Sequence, residues 1–202
     1  GMKTLSMIYK ISKTELQTLF YSPIAWLIIV IFTFQTSMGF SGVMSDLVKS
    51  QELGYGLQSV TKNIFGGLRG LFSMVQQYLY LYIPLLTMGL MSREFSSGEI
   101  KLLYSSPVTN THIVLGKFLA MMIFALVLVG ILLIYVIFGA CTVKSFDLAL
   151  TFSGLLGIYL LICAYAAIGL FMSCLTSYQM VAAMGTLAVL SILNFIGSVS
   201  QD

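Results

Sequence analysis

Five long apolar stretches limit what this chain can fold into more than any other feature, because each is long enough to cross a lipid bilayer. A membrane-spanning helix needs about 20 largely apolar residues, and the segments that qualify are residues 23–40, 71–91, 113–138, 148–173 and 178–197. Charged residues make up only 8% of the chain, whereas soluble domains carry about 25%. The sequence therefore predicts an all-α, polytopic membrane protein with one transmembrane domain over residues 2–202.

The segment before the first apolar stretch, residues 2–21, is amphipathic with helical spacing. Its apolar side holds Leu5, Ile8, Tyr9, Leu16, Leu19 and Phe20, and its polar side holds Lys3, Lys10, Lys13, Thr14 and Gln17. A basic amphipathic helix is typical of a segment that lies in the membrane interface. We therefore predict an interfacial helix with Lys3, Lys10, Lys13 and Leu16 as its candidate interface residues. The alternative is a solvated leader whose periodicity arose by chance.

A polar insert, residues 92–112, separates the second and third apolar stretches. Arg93, Glu94, Glu99 and Lys101 cannot lie in hydrocarbon, where each charge costs several kcal/mol, so the insert is predicted to be a loop at one membrane face. Glu94 and Glu99 are its candidate functional carboxylates. The alternative is that both are solvated beside Arg93 and Lys101, where such pairs contribute little.

The same insert predicts a short helix. Ser96 and Glu99 have the spacing of a capping box, and the residue before Pro107 is biased away from helix, so the helix should end there. Its apolar face is formed at i, i+3 and i+4 by Ile100, Leu103 and Tyr104. This face either binds a partner outside the membrane or packs on the base of the third span.

The insert and its flanks resemble the region between the second and third spans of ABC-2 type transporter permeases. The segment that carries the resemblance is IPLLTMGLMSREFSSGEIKLLYSSPVTNTHIVLGK, from Ile83 to Lys117. The family's first-span entry is similar to KTELQTLFYSPIAWLIIVIF, from Lys13 to Phe32, and its fourth-to-fifth span junction to AYAAIGLFMSCLTSYQMVAA, from Ala164 to Ala183. Within the family, the S-P-I-A-W sequence most resembles permeases of gliding motility and copper-enzyme maturation.

This resemblance implies the permease subunit of an ATP-driven exporter. It implies that the insert is a coupling element that touches a separate ABC ATPase, through Glu94, Gly98, Glu99, Ile100, Leu103, Tyr104 and Pro107. It also implies a second permease subunit, identical or homologous, and six spans, so a final span is expected to be missing here. The alternative function is a scaffold or anchor subunit of a secretion or motility machine that does not transport.

Other functions find little support in the sequence. Gly116-Lys117 is followed by Phe118, and no Gly stands five residues before Gly116, so no ATP-binding loop is present. His112 is the only histidine and the three cysteines have no ligand spacing, so no metal site is predicted. We predict no catalytic residues and no cofactor. We also predict no nucleic-acid partner, because no Lys/Arg cluster occurs.

Basic residues beside the spans give the predicted orientation. Three lysines precede the first span, and Arg93, Lys101 and Lys117 flank the loop that should lie on the same side. This places six Lys or Arg on that side and four on the other, and the richer side is the cytoplasmic one. We therefore predict a multi-pass protein of the bacterial inner membrane with a cytoplasmic N-terminus.

Overall fold

The computed structural model describes residues 1–52, 75–105, 109–142 and 148–200. These residues form helices joined by short turns, and no strand occurs among them. The helices are α1 (Met2–Tyr21), α2 (Pro23–Glu52), α3 (helical over residues 75–87), α4 (Ser92–Ser97), α5 (Glu99–Ser105), α6 (Asn110–Thr142), α7 (Leu148–Leu175) and α8 (Gln179–Val199). The predicted all-α polytopic class is confirmed.

Four of these helices contain segments long and apolar enough to cross a membrane. Within the described ranges, the segments are Pro23–Gly42, Asn110–Phe138, Thr151–Leu175 and Gln179–Val199. The predicted second span, residues 71–91, begins in residues that the structure does not describe, and its described part includes α3. Helix α2 also continues ten residues past its apolar segment to Glu52, so the chain stays helical beyond the predicted first span.

A proline sets the junction between α1 and α2. Ser22 has extended backbone angles (φ −77°, ψ 131°), as expected for a residue before Pro23, and Pro23 then occupies the first position of α2, where its missing N–H costs nothing. The Trp26 indole N–H donates to the carbonyl oxygen of Phe20, which satisfies an acceptor at the end of α1.

The chain divides into two compact units. The first contains Gly1–Trp26, Leu79–Ala125 and Leu161–Asp202, and the second contains Leu27–Tyr78 and Leu126–Leu160. In the second unit, Phe40 stacks at 5.4 Å from Tyr135 and 5.9 Å from Phe138, measured between ring centroids. The Tyr135 hydroxyl also forms a hydrogen bond with Ser37.

The first unit contains the predicted interfacial helix and the polar insert. Its buried apolar residues include Leu79, Ile83, Leu90, Ile113, Phe124, Ile162 and Leu190. Within this unit a three-residue connection, residues 176–178, joins α7 to α8, and the Tyr165 hydroxyl of α7 donates to Asn194 Oδ1 of α8 at 3.0 Å.

Small residues allow close helix contacts inside the first unit. A Cβ atom added at Gly169 would lie 2.7 Å from Cβ of Thr87, and Ser173 and Ala182 are buried. Because small residues let transmembrane helices approach closely, the sequence also suggests self-association through Gly169, Ser173, Ala182, Ala183 and Gly185. Of these, Gly169, Ser173 and Ala182 are buried inside the protomer, so these three do not provide such a surface.

Candidate functional site

The polar insert folds into two short helices that meet at a glycine. Gly98 has φ +78° and ψ 3°, a left-handed conformation that glycine adopts without steric cost and that commonly ends a helix. It ends α4 after Ser97 and lets α5 begin at Glu99 in a new direction. We call α4, Gly98 and α5 together the elbow.

The predicted capping box is wrong. Ser96 lies inside α4, where its hydroxyl donates to the carbonyl oxygen of Arg93 at 3.1 Å, and Glu99 is the first residue of α5 rather than its third. Ser97 provides the local contact instead, because its Oγ accepts from the Glu99 N–H at 3.5 Å. The left-handed glycine, which the spacing argument overlooked, sets this boundary.

Four charged side chains meet where the elbow, α1 and α6 come together. Lys117 Nζ lies 2.9 Å from Glu15 Oε2 and 2.8 Å from Glu94 Oε1. Arg93 Nη2 lies 3.5 Å from Glu15 Oε1. We call Glu15, Arg93, Glu94 and Lys117 the charge cluster, and its two carboxylates balance its two cations.

Three of the four side chains in the charge cluster are largely removed from solvent, whereas the Arg93 side chain is 41% exposed. Lys117 is only 1% exposed and Glu15 only 7%. A buried charge is costly unless it is paired, so each ammonium–carboxylate contact offsets a desolvation cost that would otherwise be large. Glu94 Oε2 is also buried and has no hydrogen-bond partner among the described residues. The cluster therefore depends on all of its members being present together.

The Gly116-Lys117 pair in α6 has two physical roles at this site. A Cβ atom at Gly116 would lie 2.6 Å from Ile11 Cγ2 and 3.3 Å from the carbonyl oxygen of Ile8, so only glycine permits α1 to pack this closely. Lys117 then reaches across the contact to Glu15 of α1. The pair thus brings the two helices together and links their charges.

The start of α4 is held by a residue of α7. Ser173 Oγ accepts hydrogen bonds from the N–H groups of Met91 and Ser92 at 2.9 and 3.0 Å and donates to the Met88 carbonyl oxygen at 3.2 Å. The Ser92 hydroxyl donates in turn to the Ser173 carbonyl oxygen at 2.8 Å. Helix N-termini leave unpaired N–H groups that a capping side chain normally satisfies. Here the cap comes from another helix.

The elbow's other surface faces solvent. Leu102 is 73% exposed, and Glu99 and Lys101 beside it are also exposed. Ile100 is half-buried, while the side chains of Leu103 and Tyr104, together with Pro107, lie outside the described residues. The elbow is therefore fixed to the protein through α4 and presents an apolar side chain outward from α5.

Helix α1, the predicted interfacial helix, has three distinct sides. Ser12, Glu15 and Leu19 are buried against the protein, Leu5 and Tyr9 are exposed, and Lys3, Lys10 and Lys13 are also exposed. Leu16 is half-buried. The sequence analysis described only an apolar and a polar side of α1. It missed the buried side because a helical wheel cannot show that Glu15 is buried beside the Lys117 ammonium.

A comparison with protein families identifies the family to which the chain belongs. The model of the ABC-2 family transporter proteins matches residues 9–201. The chain belongs to the ABC-2 family of transporter proteins. It is therefore a membrane-embedded permease component of an ABC transporter, from a family that generally works in the bilayer with an ABC ATPase. No curated protein and no solved structure gives a significant match.

The structure brings together only part of the predicted coupling set. Glu94 joins the charge cluster, while Glu99 stays exposed. Glu15, Lys117 and Ser173 were not predicted as site residues, although all three lie in segments that resemble the family. One signal was available, because Glu15 interrupts the side of α1 that carries Ile8 and Leu19. In the described part of the chain, no group of three His, Cys, Asp or Glu side chains could hold a metal ion.

Proposed function

We propose that this permease is the membrane subunit of an ATP-driven exporter, and that a separate ABC ATPase docks on the outer surface of the elbow. The supporting observation is that one short element is fixed to three other helices and still exposes Leu102. Such an element can receive a partner and pass on its movement. ATP hydrolysis is then carried out by the partner chain.

The contacts of α4 support transmission of movement. The charge cluster joins α4 to α1 and α6 through Glu15 and Lys117, and Ser173 joins α4 to α7. A force applied to α5 therefore reaches three helices through short polar contacts. Rigid-body rotation of packed elements is a common way to convert a local push into a change of state.

The outer surface of α5 supports docking. Leu102 is a large apolar residue outside the four apolar segments of the described chain, and burial of such a side chain contributes about 1.5–3 kcal/mol. Glu99 and Lys101 provide charges of both signs beside it. Glu94, Gly98, Ile100, Leu103, Tyr104 and Pro107 complete the coupling set, of which Glu94 and Gly98 fix the elbow's geometry.

The proposal is tested with the ATPase that co-purifies with the permease from its own host. Leu102→Asp should weaken ATPase binding at least about tenfold, because one lost apolar anchor exceeds the 1.4 kcal/mol that corresponds to a factor of ten. The matched control is Thr111→Asp, which adds the same charge at an exposed position in the first turn of α6. Binding affinity and permease-dependent ATPase rate are both measured.

Two results would argue against this function. Unchanged affinity in Leu102→Asp, in Leu103→Asp and in Tyr104→Asp would remove the elbow as the docking surface. ATPase activity that the permease does not alter, in a complete assembly, would favour the non-transporting scaffold instead.

The same proposal includes an orientation and a stoichiometry. The N-terminus and the elbow lie in the cytoplasm, the membrane is the inner membrane, and two permease subunits, identical or homologous, assemble with two ATPases. A cysteine at exposed position 97, introduced as Ser97→Cys without the native cysteines, should react with an impermeant maleimide only after cells are opened. Native mass measurement of the complex gives the subunit count. The finer likeness to gliding-motility and copper-enzyme permeases stays a prediction.

A further inference from the structure

An open groove of about 490 Å³ lies between α1 and α6. Tyr9, Lys13, Leu16 and Phe20 line it from α1, and Leu119 and Ile123 line it from α6. Glu15 and Lys117, which contact each other in the charge cluster, do not line the groove. It is therefore a feature separate from the coupling contacts.

The groove has an apolar part and a polar edge. Leu16, Phe20, Leu119 and Ile123 supply apolar side chains, whereas Lys13 and Gln17 on its edge are exposed. Among the described residues that line it there is no carboxylate, so Lys13 gives the groove a net positive charge. An occupant that fits both parts is a long apolar group that carries an anionic head.

The surroundings of the groove identify such an occupant. Leu119 and Ile123 lie within Asn110–Phe138, an apolar segment long enough to cross the bilayer, so acyl chains are the solvent on that side. Helix α1 carries the exposed apolar residues Leu5 and Tyr9 beside exposed lysines, which is typical of a helix at the headgroup level.

We propose that the groove binds one anionic phospholipid of the surrounding membrane. An acyl chain lies along Leu16, Leu119 and Ile123, and the headgroup phosphate pairs with the Lys13 ammonium. Lys13 differs from Lys3 and Lys10, which are exposed on the same helix but do not line the groove. A zwitterionic lipid fills the apolar part equally well but gains less from Lys13, so the site selects for negative charge.

The protein contains its own reporter for this site. Trp26 is the only tryptophan, and its ring centroid lies 5.9 Å from that of Phe20, which lines the groove. The purified permease is placed in phosphatidylcholine bilayers that contain a small fraction of lipid with brominated acyl chains, which quench indole fluorescence on contact. The brominated lipid is either phosphatidylglycerol or phosphatidylcholine.

Brominated phosphatidylglycerol should quench Trp26 more than its mole fraction predicts, whereas brominated phosphatidylcholine should not. Lys13→Gln should lower this preference about fivefold, which is the contribution of one lysine at an anionic surface. Lys3→Gln is the matched control, because Lys3 lies about 15 Å away along α1, beyond the screening length of about 10 Å at 0.1 M salt. It should leave the preference unchanged.

A second variant tests the apolar part. Ile123→Phe should reduce the excess quenching by phosphatidylglycerol by filling the groove while Lys13 stays in place. Equal quenching by the two brominated lipids in the unmodified permease would overturn the proposal, as would an equal loss in Lys3→Gln and Lys13→Gln. None of these measurements needs an ATPase, so their outcome is independent of the proposed docking on the elbow.

Discussion

Removal of the Lys117 ammonium should destabilise the permease strongly. Lys117→Met keeps a long unbranched side chain at the base of α6 but leaves Glu15 and Glu94 without their shared cation. Glu15 still has Arg93 at 3.5 Å, whereas Glu94 keeps no ion-pair partner among the described residues. The variant therefore isolates the cost of an uncompensated buried carboxylate.

The structure sets the size of the expected effect. At 2.8 and 2.9 Å, each contact has a gross attraction on the order of 6 kcal/mol with an effective dielectric constant of about 20. Desolvation of the ions offsets most of that attraction. After the mutation the Glu94 carboxylate stays buried without a cation beside it. Lys117→Met should therefore lower the free energy of unfolding by about 3–5 kcal/mol, the usual cost of removing one partner of a buried ion pair.

The free energy of unfolding can be followed in mixed micelles by titration with a denaturing detergent, with Trp26 fluorescence as the signal. A neutral double variant, Glu94→Met with Lys117→Met, keeps the Glu15–Arg93 pair. It should return to within about 1 kcal/mol of the unmodified protein, because buried ion pairs are often replaceable by packed apolar groups. Lys101→Met, which removes an exposed lysine, is the control and should change stability by less than about 0.5 kcal/mol.

Two results would refute this reasoning. A loss below about 1 kcal/mol in Lys117→Met would mean that the carboxylates are already compensated by other groups. A double variant as unstable as the single one would mean that the shape of the lysine side chain matters rather than its charge. In the complete transporter, Lys117→Met should also reduce the ATPase response to the permease if α4 transmits movement.

Two further predictions concern contacts around the elbow. Gly116→Ala should lower the free energy of unfolding by about 1–3 kcal/mol through overpacking against Ile11. Gly130→Ala in the same helix, where an added Cβ would have nothing within 4 Å, should be neutral or raise it by up to about 1 kcal/mol. An equal destabilisation in both variants would contradict the close contact. Ser173→Ala leaves the N–H groups of Met91 and Ser92 without their acceptor, so the free energy of unfolding should fall by about 1–3 kcal/mol. Ser198→Ala, at an exposed position, should change it very little. Equal stability of the two serine variants would remove Ser173 as the cap.

The class of the fold could be predicted from the sequence because it depends on local properties. Apolar segments of sufficient length have few stable structures in a bilayer other than helices, and the structure has four such segments in its described part. The helical bounds were less predictable. Residues 41–52 are too polar to span and yet continue α2, since a helix can extend beyond the membrane without a change in its backbone.

The elbow was only partly predictable for a similar reason. The spacing of Ser96 and Glu99 matched a capping box, but many serine–glutamate pairs have that spacing, and the left-handed Gly98 fixes the boundary two residues later. The outward position of Leu102 was missed because the predicted apolar face was defined by Ile100, Leu103 and Tyr104. A face can be assigned to the protein or to solvent only when the neighbouring helices are known.

The sequence by itself thus determined that this is a helical membrane protein with a basic amphipathic helix at its start and a polar insert between apolar stretches, because composition and periodicity act over a few turns of chain. The tertiary structure alone decided how the charges pair. Glu15 and Lys117 are 102 residues apart, and neither carries a local sign that the other is near. Glu15 and Lys117 can meet because Gly116 lets α1 pack closely against α6. Both side chains are buried in that contact, where a charge is stable only when it is paired with one of opposite sign.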